Sequence, residues 1–203
     1  IATMLSSYGI IQKDKISLCS YGLEIFISSS IEVICILILS LIVHNFAETL
    51  LFFTAFIPLR IYSGGFHAET RLKCFLVSLA VYAIFTLIIL KTPYEIYYLI
   101  NLSIAAISQI IVLTASPIIH HNKSVNEKEK IYYRKKSLTI CTIETVIILT
   151  GTLLIPKSRL IASFTLGQAG VTVSMLAAVI KYNKWFPQSF CIILKGGVAN
   201  EKA

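Results

Sequence analysis

A polar stretch in an otherwise apolar chain, RIYSGGFHAETRLK from Arg60 to Lys73, holds a histidine, His67, and seven residues after it comes a cysteine, Cys74. Cleaving a peptide bond with a thiol requires a thiolate to attack, an imidazole to take its proton and return it to the leaving amine, and donors for the oxyanion. Cys74 and His67 supply the first two groups. On one continuous helix, a spacing of seven would put them on one face but about 10 Å apart along the axis, too far for a hydrogen bond. The pair Gly64-Gly65 removes that obstacle, because a turn at positive φ lets His67 fold back over Cys74 from a loop or a first helical turn. N–H groups freed in such a turn are candidate oxyanion donors. Arg71, Lys73 and a protonated His67 put positive charge beside the thiol and favour its thiolate. A lone cysteine in an apolar helix is usually a small filler, and a lone boundary histidine a satisfied polar group. The conjunction of the two with Arg60 and two glycines in one short segment points to a site.

The elements that must hold this segment are set by the composition. The chain has 203 residues, of which 56% are hydrophobic and 14% charged, and its mean hydropathy is +0.80. A soluble domain needs roughly a quarter of its residues charged, so a water-soluble globule is excluded. Apolar runs recur at close to the ~20 residues that cross a ~30 Å hydrocarbon core as helix, and the ten-residue alternating segments of a membrane barrel are missing. The sequence therefore predicts an all-α, polytopic transmembrane helix bundle in a single integral membrane domain over 1–203. Its spans are 23–44, 46–59, 74–90, 96–119, 138–155 and 160–180. The second is short and ends at Pro58, which makes it a thin span or a re-entrant segment. Residues 1–22 mix apolar and polar positions and read as an amphipathic interfacial helix. Residues 60–74 form a catalytic segment, and 120–136 a basic loop between the fourth and fifth spans. No internal repeat supports an inverted-repeat transporter.

The net charge of +8 is first a topology signal. With the N-terminus in the cytoplasm, fifteen of the 18 Lys and Arg residues fall on the inner side, leaving Lys91, Lys157 and Arg159 outside. The positive-inside rule favours that orientation, with both termini and the catalytic segment cytoplasmic, and the surplus calls for no nucleic acid. Five scattered cysteines make neither a disulfide framework nor a metal site, His120-His121 is weak as a metal pair, and no cofactor is called for. No stretch reads as a cleavable signal peptide.

Other polar positions carry weaker expectations. Glu24, Glu32 and Glu144 lie in or at the edge of apolar spans, where an ionisable group is a functional hypothesis by default. Glu32 and Glu144 read as structural groups or substrate contacts, and in the competing reading as the pathway of a small transporter or exporter. Lys135 and Lys136, with Arg134, are candidate contacts for an acidic part of a substrate, as is Arg60. Gly167 and Gly170, with Ala169, offer a small-residue face for helix packing.

RIYSGGFHAETRLKC resembles the signature of the accessory gene regulator protein B (AgrB) family: an Arg, then G-G-x-H-A, then a Cys seven residues after the His. Tyr21-Gly22-Leu23-Glu24 resembles that family's N-terminal Y-G-L-E element, and the length, layout and basic loop agree, so the resemblance covers nearly the whole chain. It implies a cysteine endopeptidase of the bacterial cytoplasmic membrane. Such an enzyme removes the C-terminal tail of a small AgrD-like peptide precursor and promotes its cyclisation to a thiolactone or lactone autoinducing peptide of quorum sensing. The family's catalytic His and Cys fall on His67 and Cys74, and its functionally important Arg and Gly on Arg60 and Gly65. A homodimer fits the family. The resemblance leaves open which residue orients His67, with Glu69 and Ser63 nearest in sequence.

Overall fold

A membrane helix ends where its backbone can find other partners, and most ends here carry a visible stop. The computed structural model describes residues 16–66, 70–118 and 126–182. Six helices follow in order: α1 Ile16–Ile42, α2 Phe46–Ser63, α3 Arg71–Lys91, α4 Tyr97–Ala115 after a 3₁₀ turn Tyr94–Ile96, α5 Glu127–Leu154 and α6 Arg159–Tyr182. All six are long and apolar enough to cross a membrane, and no β-strand occurs among the described residues. The chain is a polytopic transmembrane helix bundle, as its hydropathy predicts.

The fourth span stops as helix at Ala115, short of the expected 119, and boundaries differ from the sequence expectation at three further places. Residues 16–22, assigned to a separate interfacial helix, are the first turns of α1, while 1–15 lie outside the described residues. The second span does not stop at Pro58. α2 runs 18 residues to Ser63, with Pro58 inside it, and closes at Gly64, whose positive φ of 72° turns the chain while its N–H reaches Arg60 O at 3.2 Å. Arg60 thus sits on the last helical turn rather than in a loop. Residues 127–136, assigned to a loop, are the first turns of a 28-residue α5. Their start is a capping box, in which the Asn126 N–H meets Glu129 Oε2 at 3.3 Å. At ~1.5 Å per residue α5 is about 40 Å long, so its charged first turns extend past a ~30 Å hydrocarbon core.

α6 is the central helix. About half (56%) of its most apolar stretch is buried in the protein, against 12–28% for the other five helices. It packs most extensively on α2, then on α4 and α5. In lipid, helices associate through close packing rather than through exclusion of water, so small residues decide where backbones can meet. A side chain on Gly167 would run into Phe52 O and stand 3.0 Å from Ala55 Cβ; one on Gly170 would touch the Phe56 ring at 3.3 Å. Both glycines of the predicted small-residue face therefore meet α2. Beside them Phe52 stacks on Phe56, with centroids 5.6 Å apart, and meets Phe85 of α3 at 4.7 Å. At the α1–α2 turn, buried Asn45 donates to Thr86 Oγ1 at 3.2 Å and accepts from Tyr82 Oη at 3.0 Å, tying the turn to α3. Ile27, Ile31, Ile34 and Ile38 remain exposed along α1, an apolar face suited to lipid.

Candidate active site

The glycine pair makes the turn its sequence calls for, and a guanidinium holds it. Gly64 has φ 72° and Gly65 φ 133°, both in the region L side chains avoid. Arg60 reaches forward from α2 and donates through Nη1 to Gly64 O and through Nη2 to Phe66 O. A side chain on Gly65 would collide with Arg60 Nη1 and lie 3.0 Å from Ser174 Oγ; one on Gly64 would strike Ile118 O. The absence of both side chains lets the turn close over the guanidinium on one side and against the 116–118 segment on the other.

Two further elements anchor the turn. The Phe66 N–H donates to Ser174 O at 3.0 Å and lies 3.3 Å from Ser174 Oγ, both on α6, and Lys181 Nζ stands 4.9 Å from the centre of the Phe66 ring. The Ile118 N–H donates to Ser63 O at 2.9 Å, pairing the end of α2 with the stretch after α4. Among the described residues the Gly65 N–H meets no acceptor, whereas those of Gly64 and Phe66 are committed to Arg60 O and Ser174.

Cys74 lies in the first turn of α3, exposed, with its N–H on Thr70 O at 3.0 Å; the Thr70 hydroxyl caps the helix by accepting from the Lys73 N–H at 3.3 Å. The charges whose fields reach its sulfur include Glu32 of α1 and Arg60 of α2. Glu32 therefore belongs to the neighbourhood of the thiol, which its position within an apolar span did not reveal. His67 and Glu69 lie outside the described residues, and so do His120-His121 and the tail after Tyr182. The chain is anchored on both sides of 67–69, by Phe66 on Ser174 and by Thr70 at the cap of α3.

The other sequence candidates separate. Lys135 and Lys136 are exposed on α5, Lys136 Nζ standing 5.8 Å from the centre of the Tyr132 ring. Tyr132 and Tyr133 meet Tyr62 of α2 at 6.4 and 6.2 Å, so this aromatic group flanks the glycine turn. Arg134, read from the sequence as a substrate contact beside the two lysines, instead donates to Ser116 O at 2.6 Å and Leu113 O at 2.9 Å at the end of α4. Glu144 is buried on the inward face of α5, and its Oε2 has no partner among the described residues. It lies ten residues beyond Arg134, about 15 Å further along the helix axis and away from the turn. Among the described residues no three His, Cys, Asp or Glu side chains gather as for a metal ion. Sequence reasoning missed Ser174 and Ile118, whose only local signals are a serine in an apolar helix and a residue following a proline.

Fold and site together define a multi-pass helical membrane protein with an arginine-held glycine turn and an exposed thiol at the same end of the bundle. The chain belongs to the accessory gene regulator B (AgrB) family, whose description, Accessory gene regulator B, matches residues 1–192. It is 33% identical over 150 residues to an AgrB-like protein 2 of Clostridium perfringens, covering 70% of each chain. It is 30% identical over 151 residues to the accessory gene regulator protein B of Staphylococcus epidermidis, covering 74% of each, and 27% identical over 128 residues to that of Staphylococcus carnosus, covering 63% of this chain and 64% of the other. No solved structure matches. Membership of the family suggests a role in quorum-sensing peptide processing.

Proposed function

We propose that this chain is a membrane-embedded cysteine endopeptidase that removes the C-terminal tail of a small AgrD-like peptide precursor and promotes closure of the remainder into a thiolactone or lactone. The observation that carries this reading is the turn: Arg60, Gly64, Gly65 and Ser174 hold the backbone that leads directly into His67, while Cys74 opens the next helix with its sulfur exposed. A fixed turn that runs on into a histidine in the sequence, followed by a thiol exposed on the first turn of the next helix, supports a base and a nucleophile for thiol acyl transfer.

His67 takes the proton of Cys74 and the sulfur attacks the scissile carbonyl carbon. The Gly65 N–H is the donor at hand for the oxyanion. The C–N bond breaks, the amine of the departing C-terminal fragment takes the proton from His67, and a thioester on Cys74 remains. An internal Cys or Ser of the precursor then attacks that thioester, its proton passes through His67 to Cys74, and the ring closes. A thioester retains the reactivity that cyclisation needs, and a site at the membrane boundary limits its loss to water. Lys135 and Lys136, exposed beside the turn, contact an acidic stretch of the precursor. Arg60 is a positioning residue whose guanidinium is engaged by the turn. The active end faces the cytoplasm, as the distribution of Lys and Arg favours.

Trapping by mass spectrometry of an acyl adduct on Cys74, absent from Cys74→Ala, tests the chemistry; a normally cleaved precursor in either Cys74→Ala or His67→Ala overturns it. Buried Glu144 with its unpartnered Oε2 is the observation that favours transport instead. Flux into sealed vesicles that survives Cys74→Ala and fails on Glu144→Gln would replace the endopeptidase reading.

A further inference from the structure

The consecutive basic residues Arg134, Lys135 and Lys136 differ sharply in their surroundings. Lys135 and Lys136 are exposed, whereas the Arg134 guanidinium spans two backbone carbonyls, Ser116 O through Nη1 at 2.6 Å and Leu113 O through Nη2 at 2.9 Å. These carbonyls belong to the last turn and cap of α4, where an α-helix leaves its C=O groups without intrahelical donors. A planar, charged fork satisfies two of them at once and sits favourably at the negative end of the helix dipole. Below it, buried Ser116 and Ser137 join through their hydroxyls, and Ser137 Oγ also donates to Arg134 O at 2.9 Å.

The stretch so fixed carries the catalytic turn. Two residues past Ser116, the Ile118 N–H donates to Ser63 O, and Ile118 O occupies the space a side chain on Gly64 would need. We propose that Arg134 is a positioning residue for the catalytic segment, acting through 113–118, the last residues of α4 and the stretch after it, on Ser63 and Gly64. It is not a substrate contact like its two lysine neighbours. Two arginines from different helices then hold the same turn, Arg60 through Gly64 O and Phe66 O, and Arg134 through the backbone against which the turn rests. The proposal rests on the endopeptidase reading for its effect on cleavage, and on geometry alone for its effect on the turn.

The test uses the full chain in lipid nanodiscs with Arg134→Gln, Arg134→Lys and the double variant Lys135→Gln/Lys136→Gln. Amide hydrogen exchange of peptides covering 61–66 and 113–118 is read beside kcat and KM for precursor cleavage. Arg134→Gln should speed exchange at Phe66 and Ile118 by about tenfold or more, as expected when the donor to these two helix-end carbonyls is withdrawn. It should lower kcat about 10- to 100-fold with KM within about twofold, the signature of a displaced catalytic group. Arg134→Lys, which can donate a point charge but not a fork, should fall between, and it carries the test if Arg134→Gln does not fold. The double lysine variant should raise KM severalfold and leave exchange at Phe66 and Ile118 unchanged. Wild-type exchange at these two amides in a folded Arg134 variant overturns the proposal, as does a rise in KM that matches the lysine variant with kcat intact. A wild-type protein that leaves the precursor uncut overturns the endopeptidase reading, while the exchange measurement still decides the role of Arg134.

Discussion

Polar groups enter this apolar bundle in two regions that handle them in opposite ways. At the turn end, the Arg60 and Arg134 guanidinium groups each donate to two backbone carbonyls. In the interior, where α4, α5 and α6 meet, Gln168 donates to Cys141 O and Thr145 Oγ1, and Asn101 donates to Thr152 Oγ1. Yet Gln168 Oε1, Asn101 Oδ1 and Glu144 Oε2 have no partner among the described residues. A half-buried charge that donates to two carbonyls is costly to remove, because its partners are left without donors; a buried acceptor without a donor can be replaced at little cost. The turn end is therefore the region where single substitutions should abolish function, and the interior seam the region where polar substitutions should be tolerated.

The largest effect expected is at the turn end. Cys74→Ala and His67→Ala should each lower precursor cleavage by roughly a thousandfold or more while leaving the thermal unfolding midpoint in detergent within a few degrees of wild type. Gly65→Ala comes next: it puts a side chain at φ 133° and against Arg60 Nη1, so it should cost about 1–3 kcal/mol in stability and most of the cleavage activity. Wild-type activity in this variant would mean that the turn can open without consequence and would break the contrast between the regions.

Gly167→Val should cost a similar 1–3 kcal/mol by forcing α6 away from Phe52 and Ala55, read as a lowered unfolding midpoint. Its remaining folded fraction should cleave normally, since the contact lies along the helix pair and not at the turn. The smallest change expected is from Glu144→Gln, an isosteric and neutral substitution at a side chain whose Oε2 has no partner. Stability should stay within about 1 kcal/mol of wild type and cleavage within about twofold, because no ion pair is broken. A large loss of cleavage would show that the interior seam takes part in the reaction.

Much of this was legible before any coordinates. Run length and hydropathy located six spans, because a bilayer requires about 20 consecutive apolar residues per helix and tolerates few charges between them. The spacing of Gly167 and Gly170 foretold a close helix contact, since only small residues let backbones meet in lipid. The helical start at Glu127 was also legible, in Asn126 and Glu129 as a capping box, but the density of charge in 127–136 led to its assignment as a loop. Pro58 misled in the other direction, because a proline in a membrane helix removes one hydrogen bond without ending the helix when neighbouring helices pack around it.

What the sequence by itself determined is the class of the protein, its helical spans and the residue types able to perform thiol chemistry, all of which follow from local composition and short spacings. The fate of its arginines was decided by tertiary structure. Arg134 is indistinguishable in the sequence from Lys135 and Lys136, and its carbonyl partners lie 18 and 21 residues back in the chain, on another helix. Hydropathy is a property of neighbours along the chain. The partner of a guanidinium depends on which carbonyls the packing of helices leaves without donors, and that becomes defined only when the bundle has formed.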